Sequence, residues 1–490
     1  MSDYLAAQTR TETDSIGSLE IPAAAYWGVH TARAHENFPI ARRPISVYPN
    51  FIRAFACVKQ AAARANLEIG ALDEQRATLI DRACEEIKSG MLHDQFVVGV
   101  VQGGAGTSTN MNSNEVITNR ALELAGHPKG DYDFINPNDH TNRSQSTNDT
   151  YPTAIKIALA FSLESLLVEL DLLSQSFAAK GREFSHIVKV GRTQLQDAVP
   201  MTLGQEFNAF AVTLREDIER LREAVTLLRE VNMGATAIGT GINAPRGYKE
   251  TVIRHLREIT ELDLETAGDL VESTSDTGVF ITVSGALKRS ALKLSKISND
   301  LRLLSSGPQA GFGEINLPAR QAGSSIMPGK VNPVIPEAVS QVAYSVAGAD
   351  VTVSMAVEAG QLQLNAFEPI IAHSLFQSIT WLERACQTLR INCVDGITAN
   401  EERLEDMVSR SVTVITALAP VIGYSAAAKL AKEALATNEK ISELVVSRGL
   451  LGEAELADML QPMKLAGLAP ETGAINTVRE APEKLEDGRE

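Results

Sequence analysis

Residues 331–367 have the sequence VNPVIPEAVSQVAYSVAGADVTVSMAVEAGQLQLNAF, in which only Glu337, Asp350 and Glu358 are charged. The remainder is rich in Ala, Val, Ser and Gly. A helix that is polar on no face must be covered on all faces. We therefore expect other subunits to cover this helix. The alternative is a central helix that is buried within one chain.

The sequence on either side also predicts helices. Helical periodicity extends from Phe51 to about Ile87, and from about 145 to 399 the pattern is that of very long helices. After Gly204, apolar residues recur at steps of three and four as far as Val231. This spacing predicts one amphipathic helix of about seven turns.

The length of 490 residues is enough for about three domains. We assign a mixed N-terminal domain to residues 1–144, a long-helix domain to 145–399 and a small helical domain to 400–490. Asn400 is expected to cap the first helix of the last domain. Aromatic residues make up only 5% of the chain, which favours helix-on-helix packing. The predicted fold class is therefore mainly α.

Charge and cysteine content limit the partners and the compartment. A net charge of -16 argues against a nucleic-acid partner, because phosphate binding needs excess Lys and Arg. The four cysteines include no Cys-x-x-Cys pair, which indicates a reduced, cytoplasmic protein. Met1–Tyr4 does not begin a signal segment, and the sequence has no run of about 18 apolar residues, so no membrane association is expected.

Common catalytic signatures are absent from the sequence. It contains no phosphate-binding loop, no Gly-x-Gly-x-x-Gly, no Gly-x-Ser-x-Gly and no His-Glu-x-x-His. The eight histidines have no ligand spacing, so we expect neither a metal site nor a cofactor. Four polar segments remain as candidates for chemistry.

Two of these segments precede predicted helices in the first third of the chain. Residues 103–112, GGAGTSTNMN, combine a tight glycine turn with hydroxyl and amide donors, which suits an anion site at a helix N-terminus. An ordinary capped turn is at least as good an interpretation. Residues 144–152, SQSTNDTYP, contain more polar groups than one helix cap requires. A solvated loop explains them about equally well.

The other two segments lie further along. Residues 191–200, GRTQLQDAVP, supply donors just before the predicted helix that follows Gly204, although this signal is weak. Residues 323–333, GSSIMPGKVNP, place a serine pair, a lysine and an asparagine between flexible ends. Such a loop suits a lid that closes over an anionic ligand, although a mobile interhelical connection is the alternative. Polar groups beside a nearly uncharged helix favour the lid.

Together the four segments resemble the signature regions of the aspartase/fumarase superfamily, to which Tyr26–Thr31 (YWGVHT) and Gly396–Asn400 (GITAN) also conform. The resemblance covers nearly the whole chain, and GSSIMPGKVNP is its most specific pattern. It implies a subunit with a central bundle of five long helices, between a mixed N-terminal domain and a small helical C-terminal domain. It further implies a homotetramer with a twenty-helix core and active sites built from three subunits.

The resemblance also implies the roles of individual residues. Ser324 is the general base that removes a proton from the carbon next to a carboxylate. Because a serine hydroxyl is a poor base, its alkoxide needs nearby donors such as loop N–H groups and Lys330. The residues implied to bind a small dicarboxylate substrate are Thr107, Ser146, Thr147, Asn148, Thr193, Lys330 and Asn332.

Gln194 distinguishes between reactions within the superfamily. Fumarases usually have a histidine here, paired with the glutamate that corresponds to Glu337; the role of Glu337 in this chain is left open. Departing hydroxide needs a proton, whereas ammonium departs as ammonia without one. The resemblance therefore implies reversible deamination of L-aspartate to fumarate. Fumarate hydration and a non-catalytic structural role are the alternatives. Mg²⁺ often activates such lyases, but no carboxylate cluster in the sequence identifies a site.

Overall fold

The computed structural model describes residues 8–437 and 439–467. Its N-terminal part is a small antiparallel hairpin followed by short and medium helices. Asp73 caps the third helix, because its side chain accepts a hydrogen bond from the Arg76 N–H at 3.0 Å. The elements are β1 (Thr9–Asp14), β2 (Gly17–Pro22), α1 (Val29–Asn37), α2 (Pro49–Glu68), α3 (Glu74–Lys88) and α4 (Thr107–Leu124).

Long helices make up most of the following sequence, which confirms the mainly α prediction. Within the described residues, five helices have 24 or more residues. The elements, in order, are α5 (Thr147–Glu183), β3 (Val188–Thr193), β4 (Gln196–Thr202), α6 (Leu203–Thr226), β5 (Glu230–Val231), α7 (Tyr248–Thr260), β6 (Glu265–Thr266), α8 (Glu272–Ser275), α9 (Gly278–Leu304), β7 (Ile315–Asn316), α10 (Val334–Glu358) and α11 (Glu368–Asn392).

Short elements follow as far as residue 467. They are β8 (Thr398–Ala399), α12 (Glu401–Arg410), α13 (Ile415–Ile422), α14 (Tyr424–Thr437), α15 (Ile441–Ser447), α16 (Glu453–Met459) and α17 (Pro462–Leu465). Asn400 is the N-cap residue of α12, as predicted, but its side chain accepts no capping hydrogen bond from the helix. Its Nδ2 instead donates to the Gly313 carbonyl at 2.8 Å. The last 23 residues of the predicted C-terminal domain, 468–490, lie outside the described residues.

Both periodic regions are helical as predicted, but the second helix ends earlier than its apolar spacing indicates. The periodic region from Phe51 to Ile87 forms two helices, α2 and α3, with a turn at 69–73 between them. The amphipathic helix ends at Thr226 and not at Val231, because the chain first forms a 3₁₀ turn and then strand β5. Strand β5 pairs in parallel with β6, and Val231 is a fully buried residue of this strand and not of the helix. Apolar spacing alone did not reveal this change of backbone.

The chain divides into two compact units. The first comprises Met1–Ser176, Phe210–Leu303 and Leu317–Gly396, and the second Phe177–Ala209, Leu304–Asn316 and Ile397–Glu490. Part of the second unit's core is a cluster of aliphatic side chains from α13 to α16, with Leu418 and Val445 fully buried. Among the described residues, no helix is both long enough and apolar enough to span a membrane.

One face of α10 is exposed along its length. Its exposed residues mostly recur at steps of three and four and are Ala338, Gln341, Tyr344, Gly348, Val351, Thr352, Met355 and, at the end of the helix, Glu358. Tyr344, Val351 and Met355 are 59%, 58% and 68% exposed. The alternative that a single chain buries this helix on all sides is therefore wrong. Its coverage by other subunits stays a prediction.

A glycine substitution tests the packing at the start of α4. Gly106 has a φ of +87°, and a Cβ there would lie 2.3 Å from the ring of Tyr151. We expect Gly106→Ala to lower the free energy of unfolding by about 1–2 kcal/mol through backbone strain and by about 1–3 kcal/mol more through overpacking. Gly126→Ala is the control, because Gly126 has a φ of +81° and open space around it. If denaturant unfolding shows equal losses of unfolding free energy in the two variants, the predicted clash with the Tyr151 ring is contradicted.

Candidate active site

The first polar segment forms a left-handed turn before α4. Gly104, Ala105 and Gly106 have φ values of +82°, +52° and +87°. This backbone directs the start of α4 outward, where Thr107 is exposed. The Thr107 hydroxyl donates to the Gly104 carbonyl at 2.8 Å. The segment therefore opens a helix, as its sequence predicted.

The second polar segment opens α5 and contacts the first. The Asn110 side chain, from α4, donates to the Thr147 hydroxyl at 3.1 Å. The Ser146 hydroxyl accepts the Asn148 N–H at 3.2 Å, so it also caps the helix. Ser146, Thr147 and Asn148 are all half-buried. The fold thus places three of the predicted substrate-binding residues at one helix N-terminus, close to α4.

A buried lysine that sequence reasoning missed supports this segment. Lys59 of α2 is fully buried, and its Nζ donates to Asn142 Oδ1 and Gln145 Oε1, each at 2.9 Å. Burial lowers the pKa of Lys59 to about 7. Asn142 Oδ1 also accepts from the side chains of Asn110 and Asn114, both at 3.2 Å. A lysine within the apolar run of α2 was the available sequence signal.

A glycine-rich loop, residues 232–241, also contacts the second segment. The Asn148 side chain donates to the Ala237 carbonyl at 2.7 Å, and Asn232 donates to the Asn148 carbonyl at 3.0 Å. Sequence reasoning missed this loop as well. Its signal was present, because Gly234, Gly239 and Gly241 fall within eight residues and all have positive φ.

The Gly323–Pro333 loop holds Ser324 among backbone donors. The N–H groups of Ile326 and Met327 donate to Ser324 Oγ at 3.2 and 3.1 Å. Two directed N–H groups favour a negatively charged oxygen at this position. The arrangement therefore offers the donors that a serine base needs.

The base of the same loop is closed by hydrogen bonds. The Gly323 N–H donates to the Lys330 carbonyl at 2.8 Å, and Asn332 Nδ2 donates to the Gly323 carbonyl at 2.8 Å. Asn332 thus closes the loop in this conformation. Lys330 is exposed. Glu337 lies in the first turn of α10.

The third polar segment belongs to the second unit and forms a β-hairpin rather than a simple lead into α6. Strands β3 and β4 pair from Val188 to Thr202, and Gln194 and Leu195 make the turn with positive φ. Thr193 and Gln194 are exposed at its tip. Thr193 is therefore the one predicted substrate-binding residue outside the first unit.

Buried charges fix the base of this hairpin within the second unit. Lys189 Nζ lies 2.7 Å from the Glu314 carboxylate and 2.6 Å from that of Glu206. Arg192 also pairs with Glu314 and stacks over the Phe312 ring at 4.2 Å. Because Glu314 is fully buried, these pairs hold the strand rigidly under its exposed tip.

Comparison with known proteins places this arrangement in a family. A family model described as lyase matches residues 17–348, and one described as fumarase C C-terminus matches 414–467. A class II fumarase structure from Schistosoma mansoni is 32% identical, with a TM-score of 0.88 over 94% of this chain and 99% of that one. The chain therefore belongs to the aspartase/fumarase superfamily of lyases.

Other relatives are more than 50% identical to this chain, and they include proteins named aspartate ammonia-lyase. Aspartate ammonia-lyase of Pseudomonas canavaninivorans is 57% identical over 93% of this chain and 97% of its own length. Aspartate ammonia-lyase of Escherichia coli K12 is 52% identical over 93% and 96%. A cobalt-bound fumarate lyase:delta crystallin structure from Brucella melitensis is 55% identical, with a TM-score of 0.91 over 94% of this chain and all of that one.

Proposed function

We propose that this protein is a carbon–nitrogen lyase that reversibly converts L-aspartate to fumarate and ammonia. The relatives named aspartate ammonia-lyase support this activity at 52% to 57% identity over more than 90% of the chain. The observation on which the chemistry depends is the pair of N–H donors directed at Ser324 Oγ. Both Ser324 and Lys330 are present, which favours catalysis over a purely structural role.

The reaction begins with proton removal by Ser324. Its alkoxide, stabilised by the Ile326 and Met327 N–H groups, takes a proton from the carbon next to the side-chain carboxylate of aspartate. The electron pair moves onto that carboxylate and forms an enediolate-like dianion. Collapse of the dianion forms the fumarate double bond and expels ammonia from the neighbouring carbon.

The dianion needs donors that are already oriented when charge develops. Hydroxyl and amide groups at the start of α4 and α5 are the proposed donors, together with the Lys330 ammonium. Thr147 accepts a hydrogen bond from Asn110, and Asn148 donates one to the Ala237 carbonyl. These contacts fix the two side chains and so favour preorganisation. The proposed substrate-binding set is Thr107, Ser146, Thr147, Asn148, Thr193, Lys330 and Asn332.

Gln194 supports ammonia rather than water as the leaving group. An amide has no titratable proton, so it cannot protonate a departing hydroxide. Ammonium leaves as neutral ammonia without that help. Hydration of fumarate to malate is the competing reaction, and the 32% identical class II fumarase is the relative that represents it.

The absorbance of fumarate decides between these two reactions. Purified enzyme supplied with L-aspartate or with L-malate should produce fumarate from aspartate and little from malate, because Gln194 cannot act as an acid. Boiled enzyme is the control. Turnover of malate without turnover of aspartate would contradict the proposed activity.

Adjacent serines allow a matched test of the base. Ser324→Ala removes the oxygen that the two N–H groups contact, so we expect kcat to fall by about 10³-fold or more. Ser325→Ala changes an exposed neighbour on the same loop and should retain most activity. Both variants should unfold at the wild-type temperature in calorimetry. Substantial turnover by Ser324→Ala would remove Ser324 from its role.

We also propose a homotetramer in which three subunits contribute to each active site. The exposed face of α10, from Ala338 to Met355, has no charged residue at its exposed positions. A repeat of three and four residues is the spacing by which helices pack in bundles. In this proposal the hairpin tip, where Thr193 and Gln194 are exposed, contributes to a neighbouring subunit's site. The buried free thiols of all four cysteines fit a cytoplasmic location.

A charge on α10 tests this assembly. Val351→Lys places an ammonium in the proposed helix interface, so we expect loss of the tetramer and a fall in activity of roughly tenfold or more. Ile16→Lys, on the β1–β2 turn and 77% exposed, is the control. Light scattering and turnover are measured on the same samples. A Val351→Lys tetramer with full activity would contradict the proposed interface.

A further inference from the structure

Asp149 is a buried carboxylate whose two oxygens face different parts of the first unit. Oδ1 accepts the Ser146 N–H at 3.0 Å and the Thr150 hydroxyl at 3.2 Å. Oδ2 accepts the Thr236 N–H at 2.8 Å and the Gly234 N–H at 3.3 Å. The residue is fully buried. One carboxylate thus joins the start of α5 to the glycine-rich loop 232–241.

This arrangement exceeds what a helix cap requires. At the helix start, the Ser146 hydroxyl accepts the Asn148 N–H and Asp149 Oδ1 accepts the Ser146 N–H, as in a capping box. The two N–H groups that Oδ2 accepts, from Thr236 and Gly234, lie outside α5 and are not part of its cap. Burial raises the pKa of Asp149 to about 6, so burial alone disfavours its charged form. A buried carboxylate with four donors is therefore explained better by the connection that it makes than by helix capping.

We propose that Asp149 is a positioning residue, which holds the donors of Ser146, Thr147 and Asn148 at a fixed distance from loop 232–241. This inference rests on the proposed function and deepens it, because those donors are proposed to bind the substrate's carboxylates and amino group. The contacts of Asn148 with Ala237 and Asn232 lie beside the same connection. Preorganised donors stabilise developing charge only while their supports keep them in place.

An amide cannot replace the carboxylate in this role. Asparagine has nearly the same shape, but it offers one oxygen and one NH₂ group. Both sides of Asp149 present hydrogen-bond donors, so the NH₂ group must face donors on one side. Asp149→Asn therefore leaves the packing intact and breaks one half of the connection.

Asp217 offers a matched control in the same unit. It too is fully buried, but its carboxylate contacts Arg289 at 3.2 Å and Lys293 at 3.1 Å, between α6 and α9. Asp217→Asn should lower the melting temperature without changing the Michaelis constant for aspartate. If the role of Asp149 were purely structural, Asp149→Asn would likewise lower the melting temperature and leave the Michaelis constant unchanged.

The test compares the two variants with wild-type tetramer. For Asp149→Asn we expect KM for aspartate to rise and kcat/KM to fall by about 10- to 100-fold, the range found when a supporting hydrogen bond is lost. Succinate, a dicarboxylate that cannot react, should raise the melting temperature of wild type and of Asp217→Asn but much less that of Asp149→Asn. If Asp149→Asn does not fold, Thr150→Val removes one donor to Oδ1 and should shift KM and the succinate effect in the same direction.

The outcomes separate this inference from the proposed function. Wild-type KM, kcat and succinate response in Asp149→Asn, or in Thr150→Val where it replaces that variant, would overturn the positioning role while the activity stands. Failure of wild type to convert aspartate would overturn the activity. The succinate response would then still report whether Asp149 positions a dicarboxylate site.

Discussion

The hydrogen bonds of the buried Lys59 side chain hold the segment on which the candidate site depends. A polar group that is removed from water needs hydrogen-bond partners, and Lys59 Nζ donates to the amide oxygens of Asn142 and Gln145. These amides belong to the segment that leads into α5, so satisfying the buried amine also fixes the chain that presents Ser146 to Asn148. Asn110 and Asn114 extend the contact to α4. The two polar segments therefore form one network.

The other candidate residues are held differently. Ser324 lies on a loop that, among the described residues, is closed by hydrogen bonds across its own base and by its own backbone N–H groups. Gln194 lies at an exposed turn whose strands are fixed below by buried ion pairs. The start of α5 is thus held by fully buried polar groups, whereas the half-buried Ser324 is held by the hydrogen bonds of its own loop and Gln194 is exposed. This division agrees with a site that is completed only on assembly.

Periodicity in the sequence predicted the mainly α class, because apolar spacing directly reflects which helix face is buried. It failed where the chain passes from helix to strand while the apolar spacing continues. Val231 is an example, because it is buried but lies in a strand. The position of Asn400 was recognised, but not its partner, because the Gly313 carbonyl lies 87 residues away. Lys59, Asp149 and loop 232–241 were missed for the same reason: their partners are distant in sequence. The role of Ser324 was predicted from the resemblance of its motif to that of a known family. The chemistry of the loop residues alone was compatible with both a lid and a mobile interhelical connection.

The exposed face of α10, which carries no charge from Ala338 to Met355, has a consequence for biosynthesis. A newly completed chain presents Tyr344, Val351 and Met355 to the surrounding solution until something covers them. Exposed apolar side chains of this kind promote self-association in irregular ways as well as ordered ones. Assembly of the proposed tetramer would therefore compete with aggregation, and the outcome would depend on how quickly folded chains meet. In such a tetramer, the side chains that exclude water from the assembled core would make each unassembled chain prone to aggregate, and would favour dependence on chaperones at high rates of synthesis.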